Sequence, residues 1–358
     1  MTGDTVGGVF TYVCELAAAL ARRGVESALA LMGRPLAAEQ LRALGRARVA
    51  DVYAREYKLE WMDEPWEDVE RAGRWLLGIE AEVEPDLVHL NGYVHAALPW
   101  RAPTLVVGHS CVLSWWEAVR REPAPPEWDR YRAEVRRGLT AAQLVAAPTA
   151  AMLRELRRLY APRSETIVLP NGRSASTIAG AKQPFVLGVG RLWDEAKNLA
   201  ALDAAAASIP WPVLVAGDEP QPQARPRRAR LLGRLSDDQL AERFAAASIF
   251  AAPAKYEPFG LAALEAGLAG CALVLGDIPS LCEVWDDAAV FVDPGDPTAL
   301  AAEINRLIVD AKLREELGRA AARRARTFTP ERMASAYIDA YERLLAPAVE
   351  PEPLEAVS

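Results

Sequence analysis

The chain has 358 residues, enough for two domains that each bury a core, and its 51% hydrophobic and 25% charged residues are those of a globular protein. A formal charge of −8 argues against nucleic acid as a main partner, because a phosphate backbone rewards a basic surface. No clean run of apolar residues is long enough to span a bilayer: the most apolar stretch, 258–275, is interrupted by a proline, glycines and a glutamate.

The first half alternates short apolar runs with amphipathic stretches. Strands are expected at 27–32, 86–90, 104–108, 144–148 and 166–170, with helices at 9–23, 66–82 and 128–142 between several of them. "NGRSASTIAGAKQ" (171–183) is small and polar and reads as a connection between domains. A second series follows at 185–190, 211–217, 229–235, 248–253, 272–276 and 289–293, and residues 298–345 are helical in pattern. The rhythm predicts an α/β protein of two doubly wound, Rossmann-like domains facing across a cleft. The expected division is 1–172, a linker over 173–184, a second domain over 185–330, a helix over 331–345 packing back towards the first domain, and a Pro- and Glu-rich disordered tail over 346–358. The basic clusters at 154–160 and 224–230 read as solvated faces.

One feature departs from this plan. "TGDTVGGVF" has the look of a glycine turn opening a helix, yet only six residues precede Gly7. The first strand of the sheet is therefore expected to be missing and to lie upstream of Met1, since its absence would expose the edges of neighbouring strands.

Cys14, Cys111, Cys271 and Cys282 form no C-x-x-C pair and have mainly small or apolar neighbours, as in a reducing compartment. With three histidines in the chain, no His/Cys metal site is expected, and the protein reads as cytoplasmic.

The chemistry concentrates in "KYEPFGLAALEAG" (255–267). Glu257 precedes a proline and should be extended. The helix that follows opens near Phe259, Gly260 and Leu261, where bare backbone N–H groups suit a phosphate. Glu265 shares the apolar stripe of Leu261, Leu264 and Leu268, so it needs a basic partner or a pair of ligand hydroxyls. "GVGRLWDEAKN" (188–198) follows a strand and sets Arg191 and Lys197 at the ligand-binding end of the sheet, where two cations would serve a diphosphate.

These segments, continued by "GRLSDDQLAERFAAASIFAAPAKYEPFGLAALEAGLAG" and "GDIPSLCEVWDDAAVFVDPGD", resemble the C-terminal domain of family 4 (group 1) glycosyltransferases, which have the GT-B fold. The Glu, seven residues, Glu pattern around Phe-Gly-Leu is that family's signature. The first half matches more loosely, through "GGVFTYVCELAAALARRG", "PDLVHLNG", "VVGHS" and "LPNG".

The resemblance implies a retaining, metal-independent transfer of a sugar from a nucleotide-diphosphate-sugar to an acceptor hydroxyl. Arg191 and Lys197 would hold the diphosphate as it leaves. Glu257 would contact the donor sugar, and Phe259, Gly260 and Leu261 would offer N–H groups. Glu265 would bind the ribose hydroxyls. Gly7 and Gly8 would form a loop near the phosphates, and His109 would face the sugar.

No separate cofactor is implied. The acceptor (sugar, lipid-linked or small molecule) is unspecified, and peripheral contact with a membrane stays open. Five residues separate Arg191 from Lys197 where the family usually has four, and Pro253-Ala254 stands where Pro-Ser is common. The rival readings are a non-hydrolysing nucleotide-sugar epimerase and a non-catalytic nucleotide-sugar-binding protein. A dehydrogenase is disfavoured, because "GVGRLW" lacks the third glycine of the dinucleotide fingerprint. Tryptophans gather in the first half, at 59–69, 98–103 and 111–119.

Overall fold

A computed structural model describes residues 1–176, 178, 180–217 and 226–346. The tail read as disordered lies outside the described residues apart from Ala346, as does the start of the basic cluster at 224–230.

The first half places β1 (Thr2–Asp4), α1 (Gly8–Ala21), β2 (Ala28–Met32), α2 (Ala38–Ala47), β3 (Asp51–Arg55), α3 (Trp66–Val83), β4 (Val88–Leu90), β5 (Thr104–Val107), α4 (Val112–Arg120), α5 (Asp129–Ala141), β6 (Leu144–Ala147), α6 (Ala150–Tyr160) and β7 (Glu165–Val168) in order. Strands β3, β2 and β1 pair in parallel, as do β4 to β7. The two ribbons meet at β1 and β4. There Asn91 donates from its backbone N–H to Thr2 Oγ1 (2.8 Å) and from Nδ2 to Thr2 O (2.6 Å). The spatial order is thus 3-2-1-4-5-6-7. The expectation of a missing first strand is corrected: Thr2–Asp4 fills that central place, and three residues suffice because Asn91 side-chain bonds replace part of the ladder.

The second half runs β8 (Gln183–Val189), α7 (Leu199–Ala205), β9 (Val213–Ala216), β10 (Arg230–Gly233), α8 (Asp237–Ala246), β11 (Ala247–Ala252), α9 (Leu261–Leu268), β12 (Ala272–Gly276), α10 (Pro279–Trp285), β13 (Val290–Val292), α11 (Pro297–Val309), α12 (Ala311–Ala325) and α13 (Pro330–Leu345). Its parallel sheet has the order β10-β9-β8-β11-β12-β13. Strands β5, β6, β9 and β12 are buried throughout, as near-continuous apolar runs covered on both faces must be.

Helix α13 returns to the first half. Its Met333, Ala334, Tyr337 and Ala340 share one core with Leu16, Leu20 and other residues of α1. The chain therefore passes between the halves twice, and the two passages touch. Arg173 N–H donates to Phe328 O (3.1 Å), and a Cβ on Gly172 would lie 2.3 Å from Thr329 O.

Candidate active site

In a doubly wound sheet the loops that leave neighbouring strands in opposite directions open a crevice at the strands' carboxyl ends. In the second half that point lies between β8 and β11, and in the first between β1 and β4. Both crevices open into one cavity of about 900 Å³ lined by the two halves together. Gly7, Gly8, His109, Arg191, Lys197, Glu257, Phe259, Gly260 and Leu261 all line it.

Arg191 and Lys197 leave β8 on a loop of two tight turns, with Asp194 N–H donating to Arg191 O (3.1 Å) and Lys197 N–H to Asp194 O (3.0 Å). Lys197 Nζ consequently reaches Glu257 Oε2 at 2.5 Å, on the loop after β11. Arg191 Nη2 pairs with Asp194 Oδ2 (2.6 Å), and its guanidinium lies 5.0 Å from the ring centre of Trp193. Burial pushes the Asp194 carboxyl up, but the Arg191 guanidinium and the Ala196 N–H outweigh it and hold the group below the usual range. Asp194 thus orients Arg191 and stays ionised. Arg191 Nε has no partner among the described residues.

Two glycines shape this part of the cavity. A Cβ on Gly7 would stand 3.1 Å from Arg191 Nη1, so the absence of a side chain lets the loop before α1 approach the guanidinium. Gly260, the residue ahead of α9, has φ +92°, a conformation that side chains resist. It presents the first turn of α9 to the cavity. Asp4 holds the turn that leads into α1, accepting from Val6 N–H and Gly7 N–H (both 2.9 Å). Burial raises its carboxyl.

His109 is half-buried against the Tyr12 ring, centroids 4.5 Å apart, and shares a 2.8 Å hydrogen bond between Nε2 and Asn91 Oδ1. The Asn91 amide is fixed by its Nδ2 bond to Thr2 O, so Nε2 is the donor. Burial lowers the imidazole to about 3 and leaves it neutral. His89 and His95 are bound internally, to Tyr341 Oη (2.7 Å) and to Val69 O (2.9 Å).

Glu265 stands apart from the lining. Its Oε1 accepts from Arg173 Nε (2.7 Å), and Arg173 Nη1 donates to Glu15 Oε1 (2.6 Å). The partner that a carboxylate on an apolar stripe requires is an internal arginine. Burial raises the Glu265 carboxyl, and Arg173 counteracts it.

Further contacts tie the halves together around the cavity. Tyr256 Oη accepts from Cys111 N–H (3.0 Å) and bonds Ser114 Oγ (2.9 Å). Trp115 Nε1 donates to Asp194 Oδ1 (3.3 Å), and Arg120 pairs with Glu195 (2.7 Å). The Glu283 carboxylate accepts from Ala150 and Ala151 N–H (2.6 and 2.8 Å), capping α6 from the other half. Tyr256 and Asp194 were not singled out in the sequence; their positions beside Glu257 and Arg191 were the available signal. Among the described residues, no group of three or more His, Cys, Asp or Glu side chains is gathered as a metal site would need, and no helix is long and apolar enough to cross a membrane.

A family model described as Glycosyltransferase Family 4 matches residues 6–176, and one described as Glycosyl transferases group 1 matches residues 174–324. A D-inositol 3-phosphate glycosyltransferase of Kineococcus radiotolerans is 30% identical over 96% of this chain and 91% of its own. O-antigen chain mannosyltransferase B of Escherichia coli is 36% identical over 115 residues, which span 32% of this chain and 30% of that protein. Among solved structures, sucrose-phosphate synthase of Thermosynechococcus elongatus superposes with a TM-score of 0.77 at 22% identity, covering 96% of this chain and 95% of its own. Anabaena HepE in complex with UDP-glucose superposes with a TM-score of 0.74 at 17% identity, covering 96% and 99%. The chain belongs to the family 4 (group 1) glycosyltransferases and has their GT-B fold.

Proposed function

We propose that the chain transfers a sugar from a nucleotide-diphosphate-sugar to an acceptor hydroxyl, with retention at the anomeric carbon and without a metal ion. The observation that supports this most is the meeting of Gly7, Arg191 and the Gly260 helix start in one cavity, where two cations and two helix N-termini converge on space for a diphosphate. The UDP-glucose complex of the HepE neighbour agrees with a donor of that kind.

In this reading Arg191, Lys197 and the α9 N-terminus neutralise the departing diphosphate, a preorganised electrostatic role. Glu257, held by Lys197, takes a hydroxyl of the donor sugar. Phe259, Gly260 and Leu261 supply backbone N–H groups, and Gly7 and Gly8 close the opposite side. Neutral His109 offers the sugar its Nδ1 as an acceptor. The acceptor hydroxyl attacks from the face the diphosphate leaves; its proton passes to the departing phosphate oxygen as the old C–O bond breaks and the new one forms. Glu265 remains the proposed ribose ligand, which requires it to exchange Arg173 for the two hydroxyls.

The test begins with thermal shift in UDP, GDP and ADP, followed by transfer from the matching nucleotide sugar. One nucleotide should raise the Tm, and Arg191→Ala should lower turnover by roughly 10²-fold or more. The product's anomeric configuration, read by NMR, should equal the donor's, and EDTA should leave the rate unchanged. A chain that none of the three nucleotides stabilises would not be this enzyme.

A further inference from the structure

The two walls of the cavity differ in the cations they supply, and the difference bears on the acceptor. The second half contributes Arg191, Lys197 and Arg234 beside the carboxylates of Asp194, Glu195 and Glu257, with Arg191 paired to Asp194 and Lys197 to Glu257. The first half contributes a single Lys or Arg, Lys58, whose Nζ donates to the carbonyls of Asp63 (2.9 Å) and Glu64 (3.4 Å) and so holds its own loop together. Two carboxylates share this wall. Asp4 is bonded to N–H groups of its own turn, and buried Glu60 accepts from Tyr93 N–H (3.1 Å) and Val94 N–H (2.9 Å). Neither has an ion-pair partner within 4.0 Å among the described residues; burial raises both carboxyls, and the Arg191 guanidinium works against that at Asp4. His109, which also lines the wall, is neutral.

The same wall also carries four indoles. Trp61, Trp115, Trp116 and Trp128 line it, Trp61 with 37% of its surface exposed and Trp115 against Trp116 edge to face at 5.9 Å. Flat, rigid rings suit the C–H face of a sugar or the aglycone of a glycoside, and the Arg120 guanidinium lies 5.9 and 5.7 Å from the Trp115 and Trp116 ring centres.

Resting on the nucleotide-sugar reading above, we propose that this wall selects an uncharged hydroxylated acceptor with an apolar face, a neutral sugar or glycoside, and rejects phosphorylated sugars and polyols. A phosphomonoester would bring about two negative charges beside Asp4 and Glu60 and find the cations of the opposite wall already engaged by the donor diphosphate. Rejection by unmatched charge is the cheap half of specificity; the tryptophans supply the attractive half.

Saturation-transfer NMR on the full chain, loaded with whichever of UDP, GDP or ADP raises its Tm, tests this. The ligands are octyl β-D-glucoside and myo-inositol against glucose 6-phosphate and myo-inositol 3-phosphate. The neutral members should bind at least about tenfold more tightly than the phosphorylated ones, and Trp116→Ala should weaken octyl glucoside about tenfold while leaving the nucleotide's Kd unchanged. Equal binding, preference for a phosphorylated member, or no binding of any of the four overturns the acceptor assignment while nucleotide binding stands. Failure of all three nucleotides to raise the Tm overturns the donor reading and this inference together.

Discussion

His109 illustrates how one residue's surroundings set both its chemistry and its cost. Its imidazole is held neutral by burial, near a pKa of about 3 against an ordinary 6.5, while the unfolded chain protonates it normally. The unfolded state therefore binds the extra proton, so this contribution to stability is complete above pH 6.5 and is lost as pH falls towards 3. The slope is about 1.4 kcal/mol per pH unit for each such group. Buried His89 and His95 shift in the same direction and add to it. Tm measured at pH 7.5, 6 and 5 should fall for the native chain and fall less steeply for His109→Gln; parallel curves would remove His109 from the account. At this scale the sequence was most legible in the short segments that bring Arg191, Lys197 and Glu257 to one cavity. It was silent on Glu265's partner, because Arg173 lies 92 residues away and nothing in the local periodicity of either segment marks the other.

Among the elements, the buried strands announced themselves and the exposed one did not. Strand β3, "DVYAR", is largely solvated, so its residues show neither an apolar run nor a clean alternation, and only pairing with β2 makes it a strand. The short β1 was hidden for the opposite reason: three residues carry no period, and its place depends on Asn91 from β4's end. Helix packing adds information that composition lacks. Gly138 lies inside α5, where alanine would ordinarily gain about 1 kcal/mol, yet its Cβ would fall 1.9 Å from Tyr93 O. Gly138→Ala should therefore destabilise the chain, by about 1–3 kcal/mol or more, as a lower urea midpoint. A midpoint that rises would mean that α5 does not pack so closely on the segment that carries Tyr93.

In the whole molecule, Arg173 joins Glu15 of α1 to Glu265 of α9, so a residue of the connecting segment ties both halves through one guanidinium. Arg173→Met would leave two largely buried carboxylates facing one another. A loss of about 3–5 kcal/mol is expected, seen as a lower Tm; an unchanged Tm would show that the triad is idle. The division into two α/β series was readable from rhythm alone, whereas the ties across the cleft, from Tyr256 to Ser114 and from Glu283 to α6, join residues more than a hundred positions apart.

The two passages of backbone between the halves, locked side by side at Gly172, Arg173, Phe328 and Thr329, also govern how the cleft can widen. A single tether permits swivel, twist and bend alike. A double one behaves like a door hung on two pins, leaving rotation about the line through both and suppressing the rest. Rotation about that line would return Arg191 to the same place against Gly7.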